Sequence, residues 1–495
     1  MTVGFNVDLK IKMEIATLEE EVVVVAQSPV IDMKKTGTAT TFTQEMLQEI
    51  PSARDPWVIL QQTPGILTVR ENVGGSESGQ QYAYLSRGGI GMSWNNMWNM
   101  DGVPITDMIS TGSSAMYYDF DTFEEIQITT SGQDATMQSG GVSINLVTRR
   151  GTNKFQVVGR AYFTNDSLQG DNRTQELIDL DYVGNQINQI MDYGLQVGGP
   201  IKRDKLWFWL GYGVQDIRKL TINGYPDEPK LYALNSKLNF NISRNNRAEL
   251  AFIYNKKSYL GRGGGPSRPP ETTWDQRGNH PTFKFEDEHI FSDDFLLNLR
   301  LAYSGGWFDM TPRGGMDTQA GYDYYTRMAS GSGDYYKSER PSFVAKLESI
   351  YFVEGFLGGD HEFKFGFTYR STPSWGTSVY PGDAFKYYYN GSPLYAEVIR
   401  ESIMDFWGKR YSLYFNDTFT TGRWTFNLGL RADKEDADNN DATVRASEAG
   451  PELLPGFTYP GVDPGVSFLF VSPRLGFTYD LTGDGKTILR GNAAI

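Results

Sequence analysis

The sequence contains no cysteine, few histidines and no apolar run that approaches the roughly 20 residues of a membrane helix. The absence of cysteine excludes disulfide scaffolds and thiolate metal sites. His280, His289 and His361 are scattered, and their spacing does not pair them as metal ligands. The formal net charge of -14 argues against nucleic-acid binding, because phosphate recognition needs clustered lysine and arginine. We therefore expect no metal site and no nucleic-acid partner.

Glycine and aromatic residues, in contrast, are abundant, with 54 Gly, 29 Tyr, 29 Phe and 10 Trp. This composition suits short strands, tight turns and the aromatic girdles of membrane barrels better than a helical bundle. The mean hydropathy of -0.44 excludes a helical membrane protein. A transmembrane β-barrel stays open, because only alternate residues of its strands face lipid.

The chain before residue 151 has a mixed pattern. Residues 2–15 alternate apolar and polar side chains and predict one strand. In the segment 30–150, Thr43 is a candidate helix cap, and Asp55 followed by Pro56 opens a second helix. The helices and strands predicted there lie at 42–50, 55–65, 123–132 and 142–150. We interpret this segment as a small α+β domain.

From residue 151 to the end, about thirteen segments of roughly ten alternating residues recur. In one of them, Phe363, Phe365 and Phe367 lie on the face opposite Glu362 and Lys364. A soluble antiparallel sheet shows the same alternation, but here short turns alternate strictly with long polar loops. Short periplasmic turns and long outer loops are typical of an outer-membrane barrel. The long loops lie at 259–281, 309–340, 372–406 and 434–466.

The predicted fold class is therefore mostly β, with an α+β plug domain followed by a transmembrane antiparallel β-barrel. Bacterial barrels use an even number of strands, and the last segment, from residue 486, has no closing partner in the sequence. We expect an incomplete barrel, with about thirteen of 22 strands. Barrels of that width are channels or plugged, and the segment 30–150 has about the size of a plug.

Several motifs follow one another in a specific order. They are EEEVVVVAQSPVID, EIPSARDPWVILQQTPGI, YLSRGGIGMSWNNMWNMDGVPITD, FEEIQITTSGQDATMQSGGVSINLVTRRGTNKF, GGPIKRDKLWFWLGY and SPRLGFTYDLTGDGKTILRGN. This succession resembles the TonB-dependent outer-membrane receptors, and most of all their Oar-like branch. The resemblance covers nearly the whole chain. It implies a transporter in the outer membrane of a Gram-negative bacterium. The residues themselves offer no catalytic arrangement, so we expect neither enzymatic activity nor a cofactor.

The resemblance also implies how the chain is divided. Residues 1–18 would be the tail of a regulatory-like β-sandwich, 19–29 the TonB box and linker, 30–150 the plug, and 151–495 the N-terminal part of the barrel. On this reading the chain is truncated at both ends. The implied partners are TonB with its inner-membrane energising complex, outer-membrane lipid, and a peptide, protein or glycan substrate.

By the same resemblance, the TonB box lies close to the N-terminus. Its residues would be Glu20, Glu21, Val22, Val23, Val24, Val25 and Ala26. Four β-branched valines favour extended backbone, and an exposed strand can be captured by the sheet of a partner. The alternative is a buried strand of the preceding sandwich. Pro29 favours a linker, because proline ends ladder pairing.

The stretch 86–107 carries the most unusual local chemistry. The resemblance assigns a structural role in the plug framework to Arg87, Gly88, Gly89, Asp101 and Gly102. Between these residues, an apex loop could bind substrate through stacking and hydrogen bonds. Its candidate residues are Trp94, Asn95, Asn96, Met97 and Trp98. The alternative is that both tryptophans pack against the barrel wall. This apex is longer than that of siderophore receptors and is rich in Met and Trp, which argues against an iron-chelate substrate.

These observations favour energy-coupled passage of a peptide, protein or oligosaccharide. One alternative is a passive outer-membrane surface protein or adhesin with a plugged barrel, and another is a soluble β-rich carbohydrate-binding protein. The acidic stretch 432–442 offers oxygen ligands for Ca²⁺ but lacks the regular spacing of an EF-hand, so we expect a solvated outer loop. No catalytic arrangement stands out from the acidic residues.

Overall fold

The computed structural model describes residues 36–50, 54, 56–68, 85–87, 95–110, 112–114, 116–180, 184–222 and 224–494. Strands dominate this part of the chain, and its α-helices are short. They are α1 (Gln44–Glu49), α2 (Pro56–Gln61) and α3 (Gln175–Asp179). Within the described ranges, no helix is long and apolar enough to cross a membrane.

The first structural unit is a five-stranded sheet with α1 and α2. Its strands are β1 (Thr38–Thr43), β4 (Met97–Met100), β5 (Val103–Pro104), β6 (Phe123–Ser131) and β7 (Ser143–Thr148), in the order β1-β6-β7-β4-β5. A separate antiparallel pair is formed by β2 (Ile66–Thr68) and β3 (Leu85–Arg87). Thr43 caps α1 by accepting a hydrogen bond from the Met46 amide, which confirms the predicted cap.

This first unit, which we call the plug, has an apolar core of its own. Ile126 of β6 and Ile144 and Leu146 of β7 are fully buried in it. Because side chains alternate between the two faces of a strand, these residues share one face of the sheet. From the barrel wall, Ile253 joins the same apolar cluster.

The second unit is a large antiparallel sheet. Its strands are β8 (Gln156–Asn165), β9 (Gln186–Lys202), β10 (Leu206–Leu220), β11 (Pro226–Ser243), β12 (Asn246–Arg262), β13 (Trp274–Ser292), β14 (Phe295–Ser304), β15 (Trp307–Pro312), β18 (Tyr335–Glu339), β19 (Ser342–Phe356), β20 (Gly359–Val379), β23 (Ser402–Thr421), β24 (Trp424–Asn439), β27 (Val462–Asp480) and β28 (Ile488–Ala494). The pairs β14/β15 and β18/β19 each form one interrupted run. The outermost strands β8 and β28 do not pair with each other, so the sheet is not closed within the described residues.

The two faces of this sheet differ in polarity, as the alternating pattern predicts. Leu413 and Leu430 point outward and are 62% and 51% exposed. Asn416 and Arg431, on the same strands, point inward and are buried. An apolar outer face around a polar lumen is the arrangement of a membrane barrel. The predicted fold class, a plug followed by a barrel-type sheet, is therefore confirmed.

Most connections of the barrel alternate in length as predicted, but the connection between β10 and β11, residues 221–225, is short where a long loop was expected. Several of the long loops contain strands of their own. These are β16 (Ala320–Asp323), β17 (Met328–Ser330), β21 (Ala384–Tyr389), β22 (Ser392–Val398), β25 (Ala442–Val444) and β26 (Phe457–Tyr459). The first four form a separate sheet in the order β17-β16-β21-β22, and the last two form a hairpin.

Candidate functional site

Only part of the predicted functional set falls within the described residues. The predicted TonB box, residues 20–26, lies outside them, as do Gly88, Gly89 and Trp94. Arg87 ends strand β3, where it pairs with Ile66 of β2. The members that can be placed with their side chains are Asn95, Asn96, Met97, Trp98, Asp101 and Gly102.

Trp98 lies on strand β4 in the plug core rather than in an apex loop. Its side chain is fully buried, and its Nε1 donates a hydrogen bond to the Gly112 carbonyl at 3.0 Å. Its ring lies 5.6 Å from that of Trp57 and 6.4 Å from that of Tyr118. Trp98 therefore does not lie in the apex loop that we predicted, because the alternation of side chains along β4 turns its indole into the plug core. Its aromatic neighbours belong to the plug, not to the barrel wall.

The three residues before Trp98 differ in their access to solvent. Asn95 is exposed, and its carbonyl accepts a hydrogen bond from the Ser139 hydroxyl. Asn96 is buried, and its Oδ1 accepts from the Val142 amide at 3.2 Å. Met97 is half-buried. Among these three, Asn95 therefore offers the most side chain to a ligand, and its substrate contact stays a prediction.

Asp101 and Gly102 form the turn between β4 and β5, with φ values of 48° and 75°. Asp101 accepts hydrogen bonds from the Thr148 amide at 2.8 Å and the Thr148 hydroxyl at 2.7 Å. Lys237 Nζ, on the barrel wall, lies 3.1 Å from Asp101 Oδ2. Burial alone would raise the pKa of Asp101, but Lys237, Lys284 and Thr148 outweigh it and lower the pKa to about 2. This turn therefore links the plug sheet to the barrel.

A second ionic cluster joins plug and barrel through two arginines. Arg160 of β8 lies 2.7 Å from Asp119 and 2.8 Å from Asp121, both in the plug. It also lies 2.7 Å from Asp192 of β9. Arg54 of the plug bridges Asp121 at 2.5 Å and Asp192 at 3.1 Å. Burial raises the pKa of Asp119 despite Arg160, whereas the two arginines outweigh burial at Asp121 and lower its pKa.

Two glycines in the barrel wall make room for this cluster. A Cβ at Gly213 would lie 2.5 Å from Asp119 Oδ2 and 2.7 Å from Arg160 Nη2. At Gly194 it would lie 2.6 Å from Arg160 Nη1. Larger side chains would displace the arginine, which explains glycine inside these strands. This cluster was not predicted from the sequence, although a charged residue on the polar face of a strand near glycines is a usable signal.

Further polar contacts hold the plug at other points of the wall. Arg340 Nη1 lies 2.6 Å from the Asp107 carboxylate. Arg431 of β24 donates a hydrogen bond to the Ala135 carbonyl at 3.2 Å. In the described chain, no group of three or more acidic or histidine side chains is arranged to hold a metal ion. The stretch 432–442, expected to be an outer loop, lies mainly in β24.

The contacts between plug and barrel are mostly polar, whereas the plug interior is apolar. Two apolar contacts interrupt this pattern: Val103 of the plug packs with Ala302 and Val344 of the barrel, and Ile253 of the barrel joins the plug core. Polar contacts can be exchanged for water at a modest net cost, while opening an apolar core costs about 25 cal/mol for each Å² exposed. The arrangement therefore allows the plug to leave the wall while its own core stays intact.

Comparison with known proteins relates both units to one family. Residues 208–494 match the family described as TonB dependent receptor-like, beta-barrel, and residues 32–143 match the TonB-dependent Receptor Plug Domain. Over 223 residues the chain is 29% identical to the TonB-dependent transporter Oar of Myxococcus xanthus. That alignment covers 43% of this chain and 19% of Oar.

Solved structures share the fold at low sequence identity. The outer membrane transporter YddB from Escherichia coli has a TM-score of 0.67 at 11% identity, over 94% of this chain and 62% of YddB. The ferric citrate transporter FecA has a TM-score of 0.64 at 15% identity, over 93% of this chain and 63% of FecA. The siderophore receptor PiuA from Acinetobacter baumannii has a TM-score of 0.57 at 13% identity, over 91% of this chain and 63% of PiuA. The chain thus spans less than two thirds of these relatives.

Proposed function

This chain belongs to the TonB-dependent receptor family, and from that premise we propose that it moves a large substrate across the outer membrane of a Gram-negative bacterium. The movement is energy-coupled, and the substrate is a peptide, a protein or an oligosaccharide. The plug match precedes the barrel match along the chain, which supports a plugged barrel. The proposal assigns no catalytic residue and no cofactor.

In this proposal, TonB captures residues 20–26 as an added strand. The valines of the box favour extended backbone, and pairing through main-chain hydrogen bonds does not depend on a preformed pocket. Along the chain the box precedes β1, which within the described residues lies at the edge of the plug sheet and pairs with β6. Tension on the box therefore reaches the plug at the edge of its sheet.

The observation that carries the proposal is the contrast between a polar plug–barrel interface and an apolar plug core. Ion pairs such as Asp101 with Lys237 and Asp107 with Arg340 hold the plug in place. Because water can replace such contacts, tension can shift the plug and open a path. The exposed Asn95 is the residue that we propose for substrate contact from the plug side.

The test is a pull-down of the full chain in detergent by the C-terminal domain of TonB. Deletion of residues 20–26 should abolish capture, and unchanged capture would refute the box assignment. Val23→Pro should also reduce capture, because proline lacks the N–H that strand pairing needs. Val23→Thr is the matched control, since threonine keeps the β-branch and the N–H.

A passive surface protein or adhesin is the second candidate. The outer-loop sheet of β16, β17, β21 and β22 favours it, because this sheet is built from loop segments alone. The two candidates differ in their need for energy. Uptake that stops when the proton gradient is dissipated supports transport, whereas uptake that continues supports the passive alternative.

A further inference from the structure

The outer loops form a folded platform above the barrel. Strands β16 and β17 come from one long loop, and β21 and β22 come from the next. The two loops join through a parallel ladder in which Tyr322 pairs with Tyr387 and Gly321 with Lys386. We call this four-stranded unit the loop sheet.

Two carboxylates, Asp323 and the buried Asp383, tie the loops of this platform together. The Asp323 carboxylate accepts backbone hydrogen bonds from Tyr325 at 2.9 Å and from Gly391 at 2.7 Å, which ties the two hairpin turns together. Asp383 is 1% exposed and accepts hydrogen bonds from both terminal nitrogens of Arg445, at 2.6 and 2.8 Å. Arg445 belongs to a third loop. The platform is therefore preorganised, which lowers the entropy lost on binding.

One face of the loop sheet is aromatic and open to solvent. The ring centroid of Tyr387 lies 5.5 Å from that of Tyr324 and 4.5 Å from that of Tyr395. The hydroxyls of Tyr324 and Tyr395 are 2.8 Å apart. Tyr324, Tyr389 and Tyr395 remain 45%, 55% and 46% exposed. Tyrosines held this way supply large contact area at low entropic cost, as in antibody paratopes.

Glu397 supplies the charge on this face. It pairs with Phe385 across β21 and β22, and opposite residues of a ladder share a face. The Tyr387 hydroxyl donates a hydrogen bond to its Oε2 at 3.2 Å. Glu397 is exposed, and within the described chain it forms no ion pair with a lysine or arginine. A carboxylate among tyrosine rings suits a cation, which gains both an ion pair and a cation–π contact.

We propose that this face of the loop sheet docks a polypeptide that presents a lysine or arginine to Glu397 and the surrounding tyrosines. The surface is a sheet face rather than a concave pocket, which disfavours a small molecule. The three loops 313–334, 380–401 and 440–461 contain nine acidic and five basic residues. Their charge therefore complements a basic partner.

This inference rests on the proposed function, since it narrows the substrate class to a polypeptide. It can be tested with a phage-displayed library of linear peptides that is selected against the full chain in detergent. The selected peptides should share a lysine or arginine flanked by apolar residues. A selection without a basic consensus would overturn the proposal, and so would binding that a simple oligosaccharide competes away.

A synthetic peptide from that selection then allows matched variants to be compared by fluorescence anisotropy. Glu397→Gln and Tyr387→Ala should each raise its Kd about tenfold. Glu452→Gln and Tyr459→Ala change the same residue types on the third loop and should alter the Kd less than twofold. If the peptide bound Glu397→Gln and Glu452→Gln with equal affinity, a specific site at Glu397 on the loop sheet would be refuted. Glu397→Lys should regain affinity for a peptide in which the basic residue is replaced by glutamate.

The same variants separate this inference from the proposed function. Capture by the TonB C-terminal domain should be unchanged in Glu397→Gln, because the box lies elsewhere in the chain. Loss of peptide binding with intact TonB capture locates the peptide at the loop sheet. If TonB fails to capture the unmodified chain while the peptide still binds, the transport proposal fails and the docking face stands.

Discussion

Replacement of Asp101 by asparagine removes one negative charge from the plug–barrel interface while the turn is kept. Asparagine tolerates the positive φ of 48° at this position, and asparagine followed by glycine is a preferred pair for this kind of turn. The loss is therefore electrostatic. Lys237 and Lys284, whose Nζ atoms lie 3.1 and 4.0 Å from Asp101 Oδ2, would face a neutral amide.

The size of the effect follows from the pKa of the carboxyl. A pKa of about 2 instead of 3.8 corresponds to at most about 2 kcal/mol in favour of the docked plug, because Thr148 belongs to the plug and keeps its hydrogen bonds to Asp101 after undocking. Because the folded pKa lies below that of the unfolded chain, this stabilisation is complete above about pH 4 and is lost as the pH falls toward 2. At neutral pH, Asp101→Asn should therefore raise the undocked population on the order of tenfold.

The absence of cysteine provides the assay. Ala135 of the plug is fully buried against the barrel wall, so a single cysteine there reacts only when the plug undocks. The labelling rate with a pyridyl disulfide, which also reacts at acid pH, should rise on the order of tenfold in Asp101→Asn at pH 7. The labelling rates with and without Asp101→Asn should converge near pH 2. Glu45→Gln, at an exposed plug position, is the control. A change below about threefold, or a difference that persists at pH 2, would refute this electrostatic account.

Further substitutions test the other contacts. Arg160→Gln removes the arginine that forms ion pairs with Asp119, Asp121 and Asp192 together, so we expect docking to weaken by about 3–5 kcal/mol. The urea midpoint, measured by the same labelling reaction, should be lower for Arg160→Gln than for the unmodified chain. Lys202→Gln, at an exposed position, is the control. Equal midpoints for Arg160→Gln and the unmodified chain would contradict this expectation. Trp98→Ala should destabilise the plug by about 3–5 kcal/mol because it empties a buried site. Asn95→Ala should weaken substrate binding without changing stability. A stable Trp98→Ala variant, or an Asn95→Ala variant that loses stability but keeps substrate binding, would contradict the buried position of Trp98 and the ligand-facing position of Asn95.

The barrel strands were predictable because their signal is local. Side chains alternate with a period of two along every strand, so the apolar face of β20 or β24 can be read from ten residues. Antiparallel topology places successive connections at opposite ends of the sheet, so long and short connections could be assigned to the two ends from their order along the chain. The same local rules failed at 432–442, where acidic residues suggested a loop. The strand β24 continues there because its inward face is polar, and Asp433 pairs with Arg431 at 2.7 Å.

Trp98 and its neighbours show a different limit. Residues 94–100, WNNMWNM, consist of Trp, Asn and Met from end to end. Composition alone could therefore not distinguish a ligand-facing loop from a core strand. Parallel pairing of β4 with β7 turns Trp98 toward Trp57 and Tyr118. That pairing joins residues about 45 positions apart in the chain, and no local pattern encodes such a distance.

The mostly β character, the order of plug and barrel and the polarity of each strand face were contained in the amino-acid order, because each depends on backbone preference and alternation over a few residues. The ionic clusters around Asp101 and Arg160 and the tyrosine face with Glu397 arise only on folding. Each gathers charges and rings from distant strands or separate loops. The contact energies that hold the plug, and the surface that we propose for a ligand, therefore depend on long-range packing rather than on any short stretch of sequence.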